Sequence, residues 1–309
     1  MVNVSGTQHV VNAAREYGCR ALVYTSSCTV VTDDLNGKFP NIDERWPVSK
    51  SSSIYGESKA EAEQIVLSAN NTPMTDKLDQ DEKFGNHDHD HDHDPDFLLE
   101  HSMSTCVLRP SVIFGEGDSQ LIPSIHACIE KGETRYRLGD GHNMWDTVYV
   151  GNVADAHVLA VENLLWYYQP RLDMSNPGVD NLGDGSIESG RAAGETFFIQ
   201  NNEPIPFRDF SLAVWKEFGH IPTGMEIPIP EGLGWVLGFL AEAFTRASGQ
   251  ATTLCRGSVR DACAMRYASG DKARKILGYR PRIGLEAGLR KSCRVSRPLV
   301  VILAEQRNG

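Results

Sequence analysis

Tyr55 and Lys59 lie four residues apart in the string Ile54-Tyr55-Gly56-Glu57-Ser58-Lys59. On a helix that spacing puts both side chains on one face, one turn apart. A tyrosine hydroxyl, with an ordinary pKa of about 10, is a poor base at neutral pH. A cation one turn away favours the phenolate and lowers that value. Tyr55 can then take the proton of a substrate alcohol while hydride leaves the carbinol carbon. The triplet Thr25-Ser26-Ser27 comes earlier in the chain, and a serine hydroxyl there can hold and orient the substrate oxygen. This is alcohol–ketone redox chemistry, and it needs a dinucleotide. No glycine-rich phosphate-binding turn precedes Tyr55 in the sequence.

The elements that must position these residues alternate. Residues 5–17 read as a helix, with Ser5 as its cap and Gly18 as its stop. Arg20-Ala21-Leu22-Val23-Tyr24-Thr25 is a nearly continuous apolar run, as expected of a buried parallel strand. Residues 29–53 read as a long loop and 54–69 as the helix that carries Tyr55 and Lys59. Cys106-Val107-Leu108-Arg109-Pro110 reads as a second strand. Helix, strand, helix, strand is the order of an α/β sheet with crossover helices. Ser27 then sits at the C-terminal end of a strand, where open α/β sheets take ligands. Further on, the patterns predict helices over 121–131, 153–166, 207–218, 232–246, 272–277 and 285–292. They predict strands over 145–150 and 196–199, and a Gly-, Asn-, Pro- and Ser-rich loop over 169–193.

The chain has 309 residues, 40% hydrophobic and 23% charged, which is ordinary for a globular protein. Its net charge of −11 is concentrated: residues 76–96 hold nine acids against Lys77 and Lys83. The remainder is only mildly acidic, so no nucleic-acid footprint is present. The run His87-Asp88-His89-Asp90-His91-Asp92-His93-Asp94 offers metal ligands but no apolar framework to fix them. Residues 70–102 are therefore expected to be a disordered His/Asp-rich insertion, and no metal is assigned. The seven cysteines are dispersed and form no CxxC pair, which fits a reducing compartment. The N-terminus reads as the start of a helix rather than a signal peptide. Gly232 to Phe244 is apolar around most of its circumference but too short to span a bilayer. It reads as a buried helix or pocket wall, or as a membrane-surface segment.

Three strings together resemble the extended short-chain dehydrogenase/reductases: Val23-Tyr24-Thr25-Ser26-Ser27, Tyr55-Gly56-Glu57-Ser58-Lys59, and Leu108-Arg109-Pro110-Ser111-Val112-Ile113-Phe114-Gly115. The string Trp145-Asp146-Thr147-Val148-Tyr149-Val150-Gly151-Asn152-Val153-Ala154-Asp155 and the later Lys272-Ala273-Arg274-Lys275-Ile276-Leu277-Gly278-Tyr279 are similar to the 3β-hydroxysteroid dehydrogenase branch. The resemblance implies a partial Rossmann-like parallel sheet with a smaller mixed α/β C-terminal substrate domain. It divides the chain into a cofactor-binding part over 1–168, a loop over 169–194 and a mainly substrate-binding part over 195–309. It implies Ser27, Tyr55 and Lys59 as catalytic residues. It places Thr25, Ser26, Tyr55, Lys59, Pro110, Ser111 and Val112 beside the cofactor, and Tyr149 and Asn152 on the substrate side. The cofactor implied is NAD, with NADP also compatible. The reaction implied is oxidation of a sterol or steroid 3β-hydroxyl, with decarboxylation when the substrate carries a 4α-carboxyl group.

Members of this family begin with a strand and a Gly-x-x-Gly-x-x-Gly turn whose N–H groups hold the pyrophosphate. This sequence has neither, and Asn3-Val4-Ser5-Gly6-Thr7 resembles the family's helix after the fourth strand. The expectation is a chain truncated at its N-terminus relative to the family, idle for lack of that turn, with an exposed apolar sheet edge. A sugar-nucleotide epimerase or dehydratase is the alternative enzyme reading, disfavoured by the apolar 232–244 segment and by Trp145 and Trp215. A non-catalytic binding protein derived from the same fold is the alternative outside catalysis. A sterol or steroid ligand, a peripheral membrane contact and a homodimer are compatible with the lead reading. Its expected location is the cytoplasm or the surface of the endoplasmic reticulum.

Overall fold

A computed structural model describes residues 2–33, 38–48, 53–74, 102–166, 191–249 and 254–308. A π-helical turn, Val2–Gly6, leads into α1 (Thr7–Glu16), β1 (Ala21–Thr25), α2 (Thr29–Thr32), β2 (Phe39–Ile42), α3 (Ile54–Ser68) and β3 (Thr72–Pro73). Next come β4 (Ser102–Pro110), β5 (Val112–Phe114), α4 (Leu121–Glu130), β6 (Tyr136–Leu138), β7 (Met144–Trp145), β8 (Thr147–Tyr149) and α5 (Val150–Trp166). The rest is β9 (Thr196–Ile199), β10 (Ile205–Pro206), α6 (Phe207–Glu217), β11 (Ile227–Ile229), α7 (Glu231–Ser248), α8 (Arg256–Cys263), β12 (Arg266–Ala268), α9 (Asp271–Leu277) and α10 (Leu285–Asn308).

Strand β4 organises the main sheet, and all of its residues are buried. It pairs in parallel with β1, Ala21 opposite Ser104 through Thr25 opposite Leu108. It also pairs in parallel with β9, Val107 opposite Thr196 through Pro110 opposite Ile199. A parallel strand covered on both faces needs a continuous apolar run, and the two faces are filled differently. On one lie Leu108 and Phe197 of the sheet, Val148 of β8, and Ala156, Ala160 and Leu164 of α5. On the other, Val11 of α1 and Val66 of α3 pack on Met103 and Val107. The result is a helix–sheet–helix layering, as expected of α/β proteins. A second apolar cluster joins Phe114, Ile122, Tyr149, Phe210, Trp215 and Leu289 beneath the C-terminal helices.

Several features depart from the sequence reading. The two ends of the segment 70–102, expected to be disordered, are ordered by strand pairing, Thr72 opposite Met103 and Pro73 opposite Ser102, and α10 runs on beyond the expected 285–292. Helix α1 begins directly from the π-turn with no side-chain cap, so Ser5 is not its cap, while Gly18 takes the left-handed backbone that ends it, at φ 64°. The expected loop 29–53 contains α2 and β2. Strand β2 lies in a second sheet of order β10-β7-β12-β2, built by pairing with residues more than two hundred positions away. Strand β9, from the part read as substrate-binding, is a member of the main sheet. Among the described residues β1 has no partner strand on its outer edge, and Ala21 to Tyr24 are only half-buried. The His/Asp run and the loop 169–190 lie outside the described residues.

Candidate active site

The strand end after β1 is held against β4 by main-chain bonds. Ser26 N–H donates to the Leu108 carbonyl at 2.7 Å, and Cys28 N–H donates to the Pro110 carbonyl at 3.0 Å. Ser27 is thereby placed beside Pro110. Its Oγ accepts from the Thr29 N–H at 3.2 Å and from the Thr29 hydroxyl at 2.9 Å. Helix α3 starts with Ser53 as its cap, whose Oγ accepts from Gly56 N–H at 3.1 Å. Asp33 fixes that cap by accepting from the Ser53 N–H and hydroxyl. The first turn of α3 therefore has a defined origin, and Tyr55 leaves it toward Ser27. Tyr55 is 51% exposed. Burial of its inner side pushes the phenol up, and the neighbouring Ser27 hydroxyl pulls it partly back.

Lys59 lies one turn further along α3, but its ammonium donates to the Thr25 carbonyl at 3.0 Å and sits 5.1 Å from the Tyr24 ring centre. Partial burial lowers its own pKa, and its charge is not among the influences on Tyr55. The expected depression of the Tyr55 pKa by Lys59 is thus not present in this arrangement: the carbonyl, rather than the phenol, receives the ammonium.

The hydroxyls of Thr25 and Ser26 are committed to the protein. Thr25 Oγ1 lies 2.6 Å from His157 Nε2. The His157 Nδ1 lies 2.8 Å from the Val153 carbonyl, so Nδ1 carries the proton and Nε2 accepts from Thr25. Ser26 donates to Glu63 at 2.9 Å. Glu63 is fully buried and takes a two-pronged ion pair from Arg109, whose Nε donates at 3.0 Å. Arg109 also lies 5.6 Å from the Phe198 ring centre. Glu63 follows Lys59 by four residues as Lys59 follows Tyr55, so one stripe of α3 carries the base, the cation and the anchor. Sequence reading missed Glu63, Arg109 and His157. The first could have been found from that stripe, whereas the other two depend on how α3 and α5 pack on the sheet.

Pro110 is buried, Ser111 nearly so, and Val112 half-buried where β4 passes into β5. Tyr149 and Asn152, expected on the substrate side, are not brought into the cluster. Tyr149 donates its hydroxyl to Glu116 at 2.7 Å and packs edge-on against Phe114. Burial, and then Glu116, push its phenol up to about 12. Asn152 is fully buried, and all its bonding capacity is used. Its amide donates to Asn201 Oδ1 and the Ile283 carbonyl, both at 2.8 Å, and its oxygen accepts from the Arg282 and Ile283 N–H groups. Both side chains join α5 and β8 to the segments around them; the Tyr149 proton and every bonding position of Asn152 are committed to the protein.

This arrangement can hold an alcohol oxygen between Ser27 and Tyr55 at the C-terminal edge of a parallel sheet. The sterol-4-alpha-carboxylate 3-dehydrogenase, decarboxylating, of Saccharomyces cerevisiae is 35% identical over 94% of this chain and 70% of its own length. The Candida albicans protein of the same name is 35% identical, over 93% of this chain and 69% of its own length. A 2-alkyl-3-oxoalkanoate reductase of Stenotrophomonas maltophilia is 30% identical over 94% of this chain and 72% of its own length. Among solved structures, gox2253 superposes with a TM-score of 0.58 at 22% identity, over 96% of this chain and 72% of that one. The NAD complex of the Bacillus anthracis dTDP-glucose 4,6-dehydratase superposes at 0.55 and 16% identity, over 96% and 68%. At those identities the two structures show a shared fold. The sequence model of the 3-beta hydroxysteroid dehydrogenase/isomerase family matches residues 1–79 and 97–229. Together with the yeast similarity, that match shows that this chain belongs to the 3-beta hydroxysteroid dehydrogenase/isomerase family.

Proposed function

We propose that this chain carries the proton-transfer centre of an NAD-dependent dehydrogenase for the 3β-hydroxyl of a sterol, and that the preferred sterol bears a 4α-carboxyl group. The observation that carries the reading is Tyr55 beside Ser27, with Lys59 one turn on, at the C-terminal end of a parallel strand. The names of the relatives narrow the substrate. A sterol 4α-carboxylate oxidised at C3 and a 2-alkyl-3-oxoalkanoate share a carboxylate one carbon away from the redox carbon. We infer that this β-hydroxy acid unit, rather than the ring system alone, is what the site recognises.

The residues present fit the nicotinamide end of a dinucleotide. Ser27, Tyr55, Lys59 and Pro110 to Val112 surround one strand end. The pyrophosphate end is different: β1 has no outer neighbour among the described residues, and the sequence holds no glycine-rich turn. In this reading Lys59 and Tyr55 hold the nicotinamide ribose, and Pro110, Ser111 and Val112 line the ring. Residues 1–168, completed by β9, form the cofactor side, and 195–309 mainly the substrate side. When bound, the dinucleotide supplies the acceptor for the C3 hydride. Ser27 donates to and orients the substrate oxygen, and Tyr55 takes its proton. Lys59, turned from the Thr25 carbonyl toward the phenol, would lower the cost of the phenolate. Oxidation at C3 makes a β-keto acid, which loses carbon dioxide by breaking the C4–carboxyl bond and leaves an enolate to be protonated at C4.

The test is turnover of a 4α-carboxysterol by the purified chain with NAD, followed by absorbance of the reduced nucleotide and by released carbon dioxide. Tyr55→Phe is expected to lower kcat by about 10²–10⁴-fold with little change in KM. A Tyr55→Phe variant as fast as its parent would overturn the reading; a parent without turnover is the outcome expected of a chain that lacks the glycine-rich turn. No helix among the described residues is long and apolar enough to cross a membrane. The exposed apolar side chains of α7, Leu233, Val236, Leu240 and Phe244 among them, support a peripheral contact with a membrane surface such as that of the endoplasmic reticulum.

A further inference from the structure

A cluster of buried polar side chains lies next to the Ser27 loop; apart from the place proposed for Ser111 beside the nicotinamide, it has no part in the chemistry above. Ser111 is 8%, Asp146 2% and Gln200 1% exposed. The Ser111 hydroxyl, both Asp146 carboxyl oxygens and both Gln200 amide atoms have no hydrogen-bond partner among the described residues. Buried polar groups are ordinarily satisfied, by protein or by ordered water. These three side chains line one cavity, walled on one side by Cys28 and Arg266, with about 10 Å³ open to a molecule the size of water. That is about the least volume that holds a single water.

We propose that Ser111, Asp146 and Gln200 bind a single buried water, and that this hydrated site is a positioning device for the loop that carries Ser27. The three ligands come from three separate chain segments: the end of β4, the junction of β7 and β8, and the end of β9. Ser111 N–H already donates to the Ile199 carbonyl at 3.1 Å, and its neighbour Pro110 holds the Cys28 N–H. A water joining Ser111 to Asp146 and Gln200 therefore fixes the strand end on which Cys28, and with it Ser27, is hung. The chemistry of the set suits a water, which needs two to four partners of both kinds. Gln200 offers a donor and an acceptor, Ser111 offers both, and Asp146 offers a donor when protonated.

Burial pushes the Asp146 carboxyl up to about 7, and Glu203 adds to the rise. The Thr147, Asn202 and Glu203 N–H groups pull it partly back without reaching hydrogen-bond geometry. The other groups that face it are the Cys28 thiol, the Arg266 guanidinium and the Tyr279 phenol. Arg266 is occupied by Asp261 and by the Trp145 ring, 4.5 Å away. The acid form thus dominates below neutrality and can donate to the water.

The test uses the full chain, with Asp146→Asn and Asp146→Leu, at about pH 5.5 and about pH 8. The parent's Tm is expected to fall on going to the higher pH. Asp146→Asn, which keeps a donor to the water, is expected to hold the low-pH Tm at both. Asp146→Leu, which strands Ser111 and Gln200, is expected to lower the Tm at both. The Cys28 amide is expected to exchange about tenfold faster in Asp146→Leu, with amides in the middle of α3 unchanged and with Asp146→Asn behaving as the parent. A rise in Tm for Asp146→Leu would show the cavity to be dry and overturn the proposal. An unchanged Cys28 exchange rate would overturn the positioning role. Only the importance of Ser27 rests on the proposed function, and neither readout requires turnover, so the two readings fail separately.

Discussion

At the scale of residues, the site divides into side chains that could meet a substrate and side chains that hold the first group in place. Ser27 and Tyr55 are proposed for the first, on their types and spacing together with the strands that flank them in the sequence. Lys59 is found the same way, but its present partner, the Thr25 carbonyl, is not visible in a sequence because it depends on how β1 faces α3. Glu63 is the least conspicuous member and the most constrained. It receives Ser26 and Arg109 in a site with no access to water. Removing one partner of such a pair leaves a buried charge uncompensated, whereas replacing both with apolar groups removes the desolvation cost as well. Glu63→Ala is expected to cost about 3–5 kcal/mol of unfolding free energy in urea. The double variant Glu63→Leu, Arg109→Met is expected to recover most of it. Equal losses in both would mean that the pair contributes by shape alone.

At the scale of elements, legibility follows the range of the forces involved. Helix α3 and strands β1, β4 and β9 are written in local patterns, and their predicted bounds match to within a few residues. Strand β2 is not legible in the sequence because its four residues, Phe-Pro-Asn-Ile, carry a proline and no alternation. It becomes a strand only by pairing with β12. Helix α7 is legible as a helix in the sequence, but the burial expected of its apolar residues is not found: only Gly234 and Gly238 are buried. Gly234 and Gly238 face inward, and a Cβ at Gly238 would come within 2.8 Å of the Arg256 nitrogen. Small residues are inside because α8 packs close. The large ones are pushed out: Leu233, Val236, Leu237, Leu240 and Phe244 form one helical stripe facing solvent. Helix α7 itself carries Glu231, Glu242 and Arg246, no basic excess, and Arg256 beside it is neutralised by Glu242 at 2.8 Å, so attraction to a bilayer would be apolar rather than electrostatic. The chain is expected to co-sediment with neutral phosphatidylcholine vesicles, insensitively to salt. Leu240→Asp with Phe244→Asp is expected to stay in the supernatant with an unchanged circular dichroism spectrum. Equal sedimentation of the two proteins would remove α7 as the contact.

At the scale of the whole molecule, the main sheet is asymmetric in a way that bears on the cofactor. On one side β4 is completed by β9, and on the other β1 stands as the outer strand among the described residues. Its partners on β4 are bonded through Arg20 and Ser26. In a parallel ladder alternate residues face one neighbour, so the Ala21 and Val23 main-chain groups point to the open edge. The residues proposed for nicotinamide all lie on the closed side of that strand end or on α3. A pyrophosphate and adenosine would have to lie across the open side, where a glycine-rich turn and a helix N-terminus do this work in dinucleotide folds. Affinity should therefore come from the nicotinamide half alone. Calorimetric titration with NAD and with nicotinamide mononucleotide is expected to give dissociation constants equal within about threefold, with both weakened alike by Lys59→Met. Were NAD to bind more than about tenfold tighter, roughly 1.4 kcal/mol, the adenylate half would have a seat on this chain. The open edge of β1 would then be the first place to look for it.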